Sequence, residues 1–156
     1  MQRSNSSKSQ QGFTLMEIMI VVAIIGILLG VVAVKMAGNK EKAEHLQAQM
    51  NIKALSSALQ MFKMDNFFYP TTEQGLRALV EKPSIGRVPN NWREGGYIEG
   101  NKVPKDPWEN EYHYQCPGTH NPQSFDLWTL GADMQEGGQG IENEDVNNWE
   151  TEKPAQ

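Results

Sequence analysis

Gly12-Phe13-Thr14-Leu15-Met16-Glu17, followed by IMIVVAIIGILLGVVAV over residues 18–34, is the stretch on which the fold turns. No charged residue occurs between Glu17 and Lys35. An uninterrupted apolar run of this kind approaches the ~20 residues that cross ~30 Å of hydrocarbon as a helix. Its single carboxylate stands at the start. A charge in an apolar segment costs about 2.5–3.5 kcal/mol on insertion scales, so Glu17 calls for a partner. Cleavage after Gly12 would create one, because a free α-amino group on Phe13, with an ordinary pKa of ~8, is largely protonated at neutral pH. Phe13 lies one helical turn before Glu17, so the rod would carry a matched cation and anion at one tip.

Arg3 and Lys8 precede this stretch in a polar segment without acids, MQRSNSSKSQQ. Positive flanks stay cytoplasmic, which directs the rest of the chain outward. A secretory signal peptide is a rival reading, but it would be cut behind its apolar core at an A-x-A-like site, and residues 33–38 are poor matches. A plain signal anchor leaves Gly12-Phe13 and Glu17 unexplained. The basic leader, the Gly-Phe-Thr-Leu-x-Glu motif and the apolar helix together resemble the class III signal of type IV pilins and type II secretion pseudopilins. The resemblance implies that a prepilin peptidase cleaves between Gly12 and Phe13 and N-methylates Phe13. It also implies that Glu17 neutralises the Phe13 amine of a neighbouring copy as helices bundle into a filament.

The net charge of −5 over 156 residues, with dispersed lysines and arginines, argues against a nucleic-acid partner, since phosphate binding depends on clustered cations. Cys116 is the only cysteine, so no intrachain disulfide can form. Gly26 and Gly30 form a small-xxx-small pair of the type that lets helices approach closely, although glycine is in any case commoner in membrane helices. No nucleophile elbow, phosphate loop or H-E-x-x-H helix is present, and the reading is non-enzymatic.

Beyond Lys35 the helical pattern continues. Ala48, Ile52, Leu55, Leu59 and Phe62 recur at alternating spacings of four and three, one face of an amphipathic helix. Gly38-Asn39 offers a place for a kink. A helix from Phe13 to about Met64 would extend roughly 75–80 Å at 1.5 Å per residue. Pro70 and its neighbours end it. Thr71 and Gln74 fit a capping box opening a short helix over residues 75–80. Residues 84–110 read as ordered loop with a short strand at 96–98, and Lys105-Asp106-Pro107-Trp108 has turn chemistry. Residues 111–116 and 124–129 alternate as two strands of a hairpin. A small antiparallel sheet on the amphipathic half of the helix makes the expected class α+β.

Residues 130–149 carry five carboxylates and four glycines without hydrophobic periodicity. Calcium takes six to eight oxygen ligands in loose geometry and suits such a loop, with Asp133 set against Glu144-Asp145. A solvated acidic loop is the alternative. His113, Cys116 and His120 do not have zinc-ligand spacing, and the four tryptophans read as packing residues.

YPT-x-EQGL-x-AL, PKDPW-x-N-x-Y-x-Y, FDLWTLGAD and EDVNNW resemble the major, G-type pseudopilins of type II secretion over nearly the whole of residues 12–149. The family's type IV pilin-like fold is thereby implied, as is one calcium held by the carbonyls of Leu130, Gln135 and Glu142 and the side chains of Asp133 and Glu144, with Asp145 adjacent. Met134 departs from a common glycine, so a left-handed backbone there would be strained. Glu144 replaces a commoner aspartate. The organisation expected is a leader at 1–12, a transmembrane and filament-core helix at 13–37, a periplasmic domain at 38–149 and a tail at 150–156. The implied partners are further copies in a helical filament, minor pseudopilins, an inner-membrane assembly platform, the prepilin peptidase and, for the precursor, the inner membrane itself. A type IV pilin, a competence pseudopilin and a membrane-tethered calcium-dependent binding module are the alternatives.

Overall fold

The computed structural model describes residues 13–141 and 143–150. One α-helix, α1, covers Leu15–Asn66. Its start is capped by Thr14, whose Oγ1 accepts the Glu17 N–H at 3.2 Å, a use of a hydroxyl that supplies one orphan amide of the first turn with a partner. Helical hydrogen bonding runs on through Gly38 and Asn39, the expected place for a kink. The chain divides into two compact units after Asn39.

In the first unit every residue from 13 to 30 is exposed, as a helix apolar on all sides must be when nothing covers it. In the second unit α1 is one-sided. Ala48, Ile52, Leu55, Leu59 and Phe62, the expected stripe, are all at most 3% exposed, and Ala58 joins them. Full burial of each large apolar side chain contributes about 1.5–3 kcal/mol, so this stripe is the largest contribution of any one element to the core. α1 stops at Asn66. Phe67 then turns left-handed (φ 66°), its N–H reaching the Lys63 carbonyl at 2.7 Å, a cap that satisfies a terminal carbonyl.

The capping pair forms reciprocally. Gln74 N–H donates to Thr71 Oγ1 at 3.3 Å, and Thr71 N–H donates to Gln74 Oε1 at 3.0 Å. The element after it is a 3-10 turn, Leu76–Leu79, that buries Leu76, Ala78 and Leu79. Gln74 also donates to the carbonyls of Ile85 and Arg87 at 2.6 and 3.1 Å, holding the next loop to this turn. No strand forms at residues 96–98, contrary to expectation. Gly95 and Gly96 have φ of 90° and 79°, outside the extended region, and the Tyr97 N–H bonds the Leu79 carbonyl at 2.7 Å instead of a ladder partner. The chain then enters a second 3-10 turn, Glu99–Asn101. The Pro turn expected at residues 105–108 forms one residue later, at 106–109, with Pro107 in its second position and Glu109 N–H bonded to the Asp106 carbonyl at 3.1 Å.

Three strands make one antiparallel sheet in the order β1-β2-β3. These are β1, His113–Gln115, β2, Asp126–Thr129, and β3, Val146–Asn147. The first two lie inside the segments expected from alternation, and are shorter. The third is not among the expected strands, since two residues are too few to show a period of two. Register sets His113 opposite Trp128 and Trp128 opposite Asn147. Leu127 and Val146 join the α1 stripe in one core with Phe125 and Tyr112. Tyr69 meets Phe125 edge-on at 4.9 Å, and Phe62 meets Phe68 likewise at 5.8 Å. The fold is α+β, a long helix packed by its second half on a small antiparallel sheet.

Candidate functional site

Two regions of the sequence point to function, and they lie in different units of the chain. At the N-terminal region Phe13, Leu15 and Met16 are 80%, 82% and 72% exposed. Glu17 is exposed beside them, with no ion pair among the described residues. Gly12 lies outside the described residues.

The second region joins β2 to β3. Gly131 leaves β2 with φ 68°, and Asp133 makes a local turn, its Oδ1 accepting the Gln135 N–H at 3.1 Å. Met134 adopts φ 58°, the left-handed conformation for which glycine is the natural residue. The loop then folds back on itself. Asn143 N–H bonds the Gly140 carbonyl at 3.1 Å, and Gly137 N–H donates to Asp145 Oδ2 at 3.0 Å. The two arms approach so closely at Gly138 that a Cβ there would sit 2.1 Å from the Asn143 carbonyl oxygen. The other oxygen of Asp145, Oδ1, is buried without a hydrogen-bond partner among the described residues.

A buried carboxylate oxygen without a donor is costly unless something positive meets it. Asp145, which the loop's acidic pattern sets against Asp133 and the resemblance places adjacent to the ligand set, is the residue whose geometry best fits a cation. Leu130 and Gln135 contribute backbone to the same loop, and Glu144 is exposed on it. Glu142 lies outside the described residues. Among the described residues no three carboxylate, imidazole or thiol groups converge on one point, so Asp133, Glu144 and Asp145 are neighbours in the loop and not a ready-made cage. Calcium suits this donor set because it draws on carbonyl oxygens as readily as on carboxylates.

Sequence reasoning missed the other face of the sheet. Asp126 is buried under residues 117–121, where it accepts the His120 N–H at 2.8 Å and the Asn121 N–H at 3.0 Å. Burial pushes its carboxyl up, but these hydrogen bonds outweigh burial and hold it below the usual aspartate range. The Asp106 carboxylate plays a similar part inside its turn, accepting the N–H groups of Trp108 and Asn110 and the hydroxyl of Thr129. His113, Cys116 and His120 are engaged separately: His113 stacks on Trp128, the Cys116 thiol faces the Ser124 carbonyl and His120 stacks on Trp149.

Comparison with known proteins converges with these features. Residues 7–33 match the prokaryotic N-terminal methylation motif, and residues 35–149 match the family described as type II secretion system (T2SS), protein G. The chain is 52% identical to the type II secretion system core protein G of Vibrio cholerae, over 91% of this chain and 93% of that one. It is 48% identical to the core protein G of Pseudomonas aeruginosa, over 92% and 97%. The crystal structure of the major pseudopilin from the type 2 secretion system of enterohaemorrhagic Escherichia coli superposes with a TM-score of 0.61 at 40% identity, covering 72% of this chain and 92% of that chain. A methylation motif on an apolar helix, followed by an α+β domain with this loop, defines a type IV pilin-like subunit, a structural protein of a secretion apparatus. Within that class the chain belongs to the type II secretion system protein G family.

Proposed function

We propose that the chain is a filament-forming subunit that drives export of folded proteins across the outer membrane. The observation that carries this reading is the start of α1, exposed at every residue from 15 to 30 and apolar there except for Glu17, its one charge. Such a surface needs either lipid or other helices around it. Lipid serves the precursor, inserted in the inner membrane with its leader in the cytoplasm. Among the described residues no helix is long and apolar enough to cross a membrane, so insertion is argued from the uncharged run over residues 18–34 in the sequence. Further copies of the chain serve the mature form as a periplasmic filament, with minor pseudopilins and the assembly platform as its other contacts.

In this mechanism the prepilin peptidase cuts after Gly12 and methylates the new amine of Phe13. Glu17 of an incoming copy then pairs with that amine, which removes the cost of an unpaired acid among helices and selects one register. Mass spectrometry of the mature protein is expected to begin at N-methyl-Phe13. Glu17→Ala is expected to leave the folded domain intact and abolish filaments in electron micrographs. Filaments at wild-type yield from that variant would defeat the electrostatic half of the reading.

The last loop is proposed to hold calcium through the Leu130, Gln135 and Glu142 carbonyls and the carboxylates of Asp133, Glu144 and Asp145. Bound there, the ion would supply two positive charges to a loop of five carboxylates. The loop's residues orient oxygens, and the fold-back keeps the Asp145 oxygen dry. Chelation is expected to lower the melting temperature by several degrees, since a ligand at about 100 times its Kd adds ~2.7 kcal/mol. A melting curve identical with calcium and with chelator would remove the ion from the account.

A further inference from the structure

The outer face of the sheet carries four rings in contact. His113 lies flat on Trp128, centroids 5.2 Å apart and planes at 17°. Trp128 meets Trp149 edge-on at 5.8 Å, and Trp149 stacks on His120 at 4.1 Å and 5°. The His120 ring is itself fixed, because its Nδ1 lies 3.1 Å from Oδ2 of Asp126, a side chain only 2% exposed. Asp126 also holds the backbone of His120 and Asn121, so the loop that presents the imidazole is anchored in the sheet.

Trp149 is four residues beyond Asp145, with β3 between them. β3 has two residues, far shorter than the five or six of a typical strand, and its ladder is a weak restraint. Val146 anchors it in the core, and the two residues after it hold its C-terminal end. Asn148 donates its side-chain N–H to the Phe125 carbonyl at 3.0 Å and its Oδ1 accepts the Leu127 N–H at 2.9 Å. Then comes the Trp149 ring, held on two sides. At the other end of β3, Asp145 has one oxygen tied to Gly137 N–H and one buried and unpaired.

We propose that the His120–Trp149 stack is a clasp that positions Asp145, so that the cation affinity of the loop depends on two rings that touch no ligand. This rests on the calcium reading of the loop given above. With the clasp intact, the cost of ordering β3 and Asp145 is met on folding. Without it the same ordering is deferred to the moment of binding and subtracted from affinity. Outer-shell groups that hold metal ligands in place typically change affinity by 10–100-fold, and the clasp is expected to act in that range. His120 and Trp149 are positioning residues in this account, acting on the ion only through Asp145.

Calcium titration calorimetry on the full mature chain in detergent tests it, comparing wild type with Trp149→Ala, Trp149→Phe and His120→Ala after exhaustive chelation. Trp149→Ala and His120→Ala are expected to weaken calcium by about tenfold or more. Trp149→Phe, which keeps a ring on the imidazole, is expected to remain within about threefold of wild type on the same scale. His120 is on an exposed loop, so His120→Ala reports even where Trp149→Ala fails to fold by circular dichroism. Wild-type affinity in His120→Ala, or in a folded Trp149→Ala, overturns the clasp, and so does a Trp149→Phe as weak as the alanine variant. Absence of any calcium heat from the wild-type chain would instead overturn the loop's cation reading, a result separable from the first because it needs no variant.

Discussion

Met134 shows how a single residue records a constraint that the rest of its loop imposes. At φ 58° and 62% exposed, it gains little by burial, while a left-handed L-residue costs about 1–2 kcal/mol. Met134→Gly relieves that strain but adds freedom to the unfolded chain worth roughly 0.5–1 kcal/mol, so a net gain of up to ~1.5 kcal/mol is expected. β-branched Met134→Val is expected to lose stability. Urea unfolding in chelator reads both without interference from calcium. Gly138→Ala acts oppositely. Its Cβ would fall 2.5 Å from the Asn143 Cβ as well as on the Asn143 carbonyl, and backbone cannot yield as a side chain can. The two arms of the loop must part, and the rise in melting temperature on adding calcium is expected to disappear while the calcium-free protein stays folded.

At the scale of elements, α1 divides its work between two units with opposite demands. Its second half is folded by burial, and Phe62→Ala, at a fully buried site touching Phe68 and Tyr97, is expected to cost about 3–5 kcal/mol. Its first half exposes what the second half hides. Met19→Ala, at a position 65% exposed, is expected to change the stability of the isolated chain by no more than about 0.5 kcal/mol and to reduce filament yield. Chemical denaturation and filament counts made on the same two variants check the contrast. The sheet relies on side chains more than on its ladder. Its strands have three, four and two residues, and the buried carboxylates of Asp106 and Asp126 hold the turns around it.

For the whole molecule, the buried tyrosines set an upper pH limit. Burial raises the Tyr112 hydroxyl to about 12, and it pushes Tyr114 further up and Tyr97 in the same direction. A folded value above the unfolded one means that the unfolded chain gives up its proton first. Stability from these groups is therefore complete below about pH 10 and is lost as pH rises through the folded values. Thermal unfolding followed at pH 9, 10, 11 and 12 is expected to show a melting temperature that falls only above 10, together with tyrosinate absorbance appearing on unfolding. Much of this molecule is legible in its amino-acid order. The uncharged run before Lys35, the stripe from Ala48 to Phe62 and the Thr71–Gln74 pair are local signals, because a helix brings together residues three and four apart. Two strands are visible by alternation, whereas the strain at Met134 is implied only by the resemblance, which puts a glycine at that position. The folded chain was needed for everything that depends on a distant partner: the loss of the strand at residues 96–98 to a bond with Leu79, the pairing of Val146–Asn147 with β2, the unpaired oxygen of Asp145 and the meeting of His120 with Trp149. Those rings are 29 positions apart, and no periodicity links them. Only closure of the sheet brings them into contact, since a tertiary contact depends on where distant segments come to rest and not on the pattern within either one.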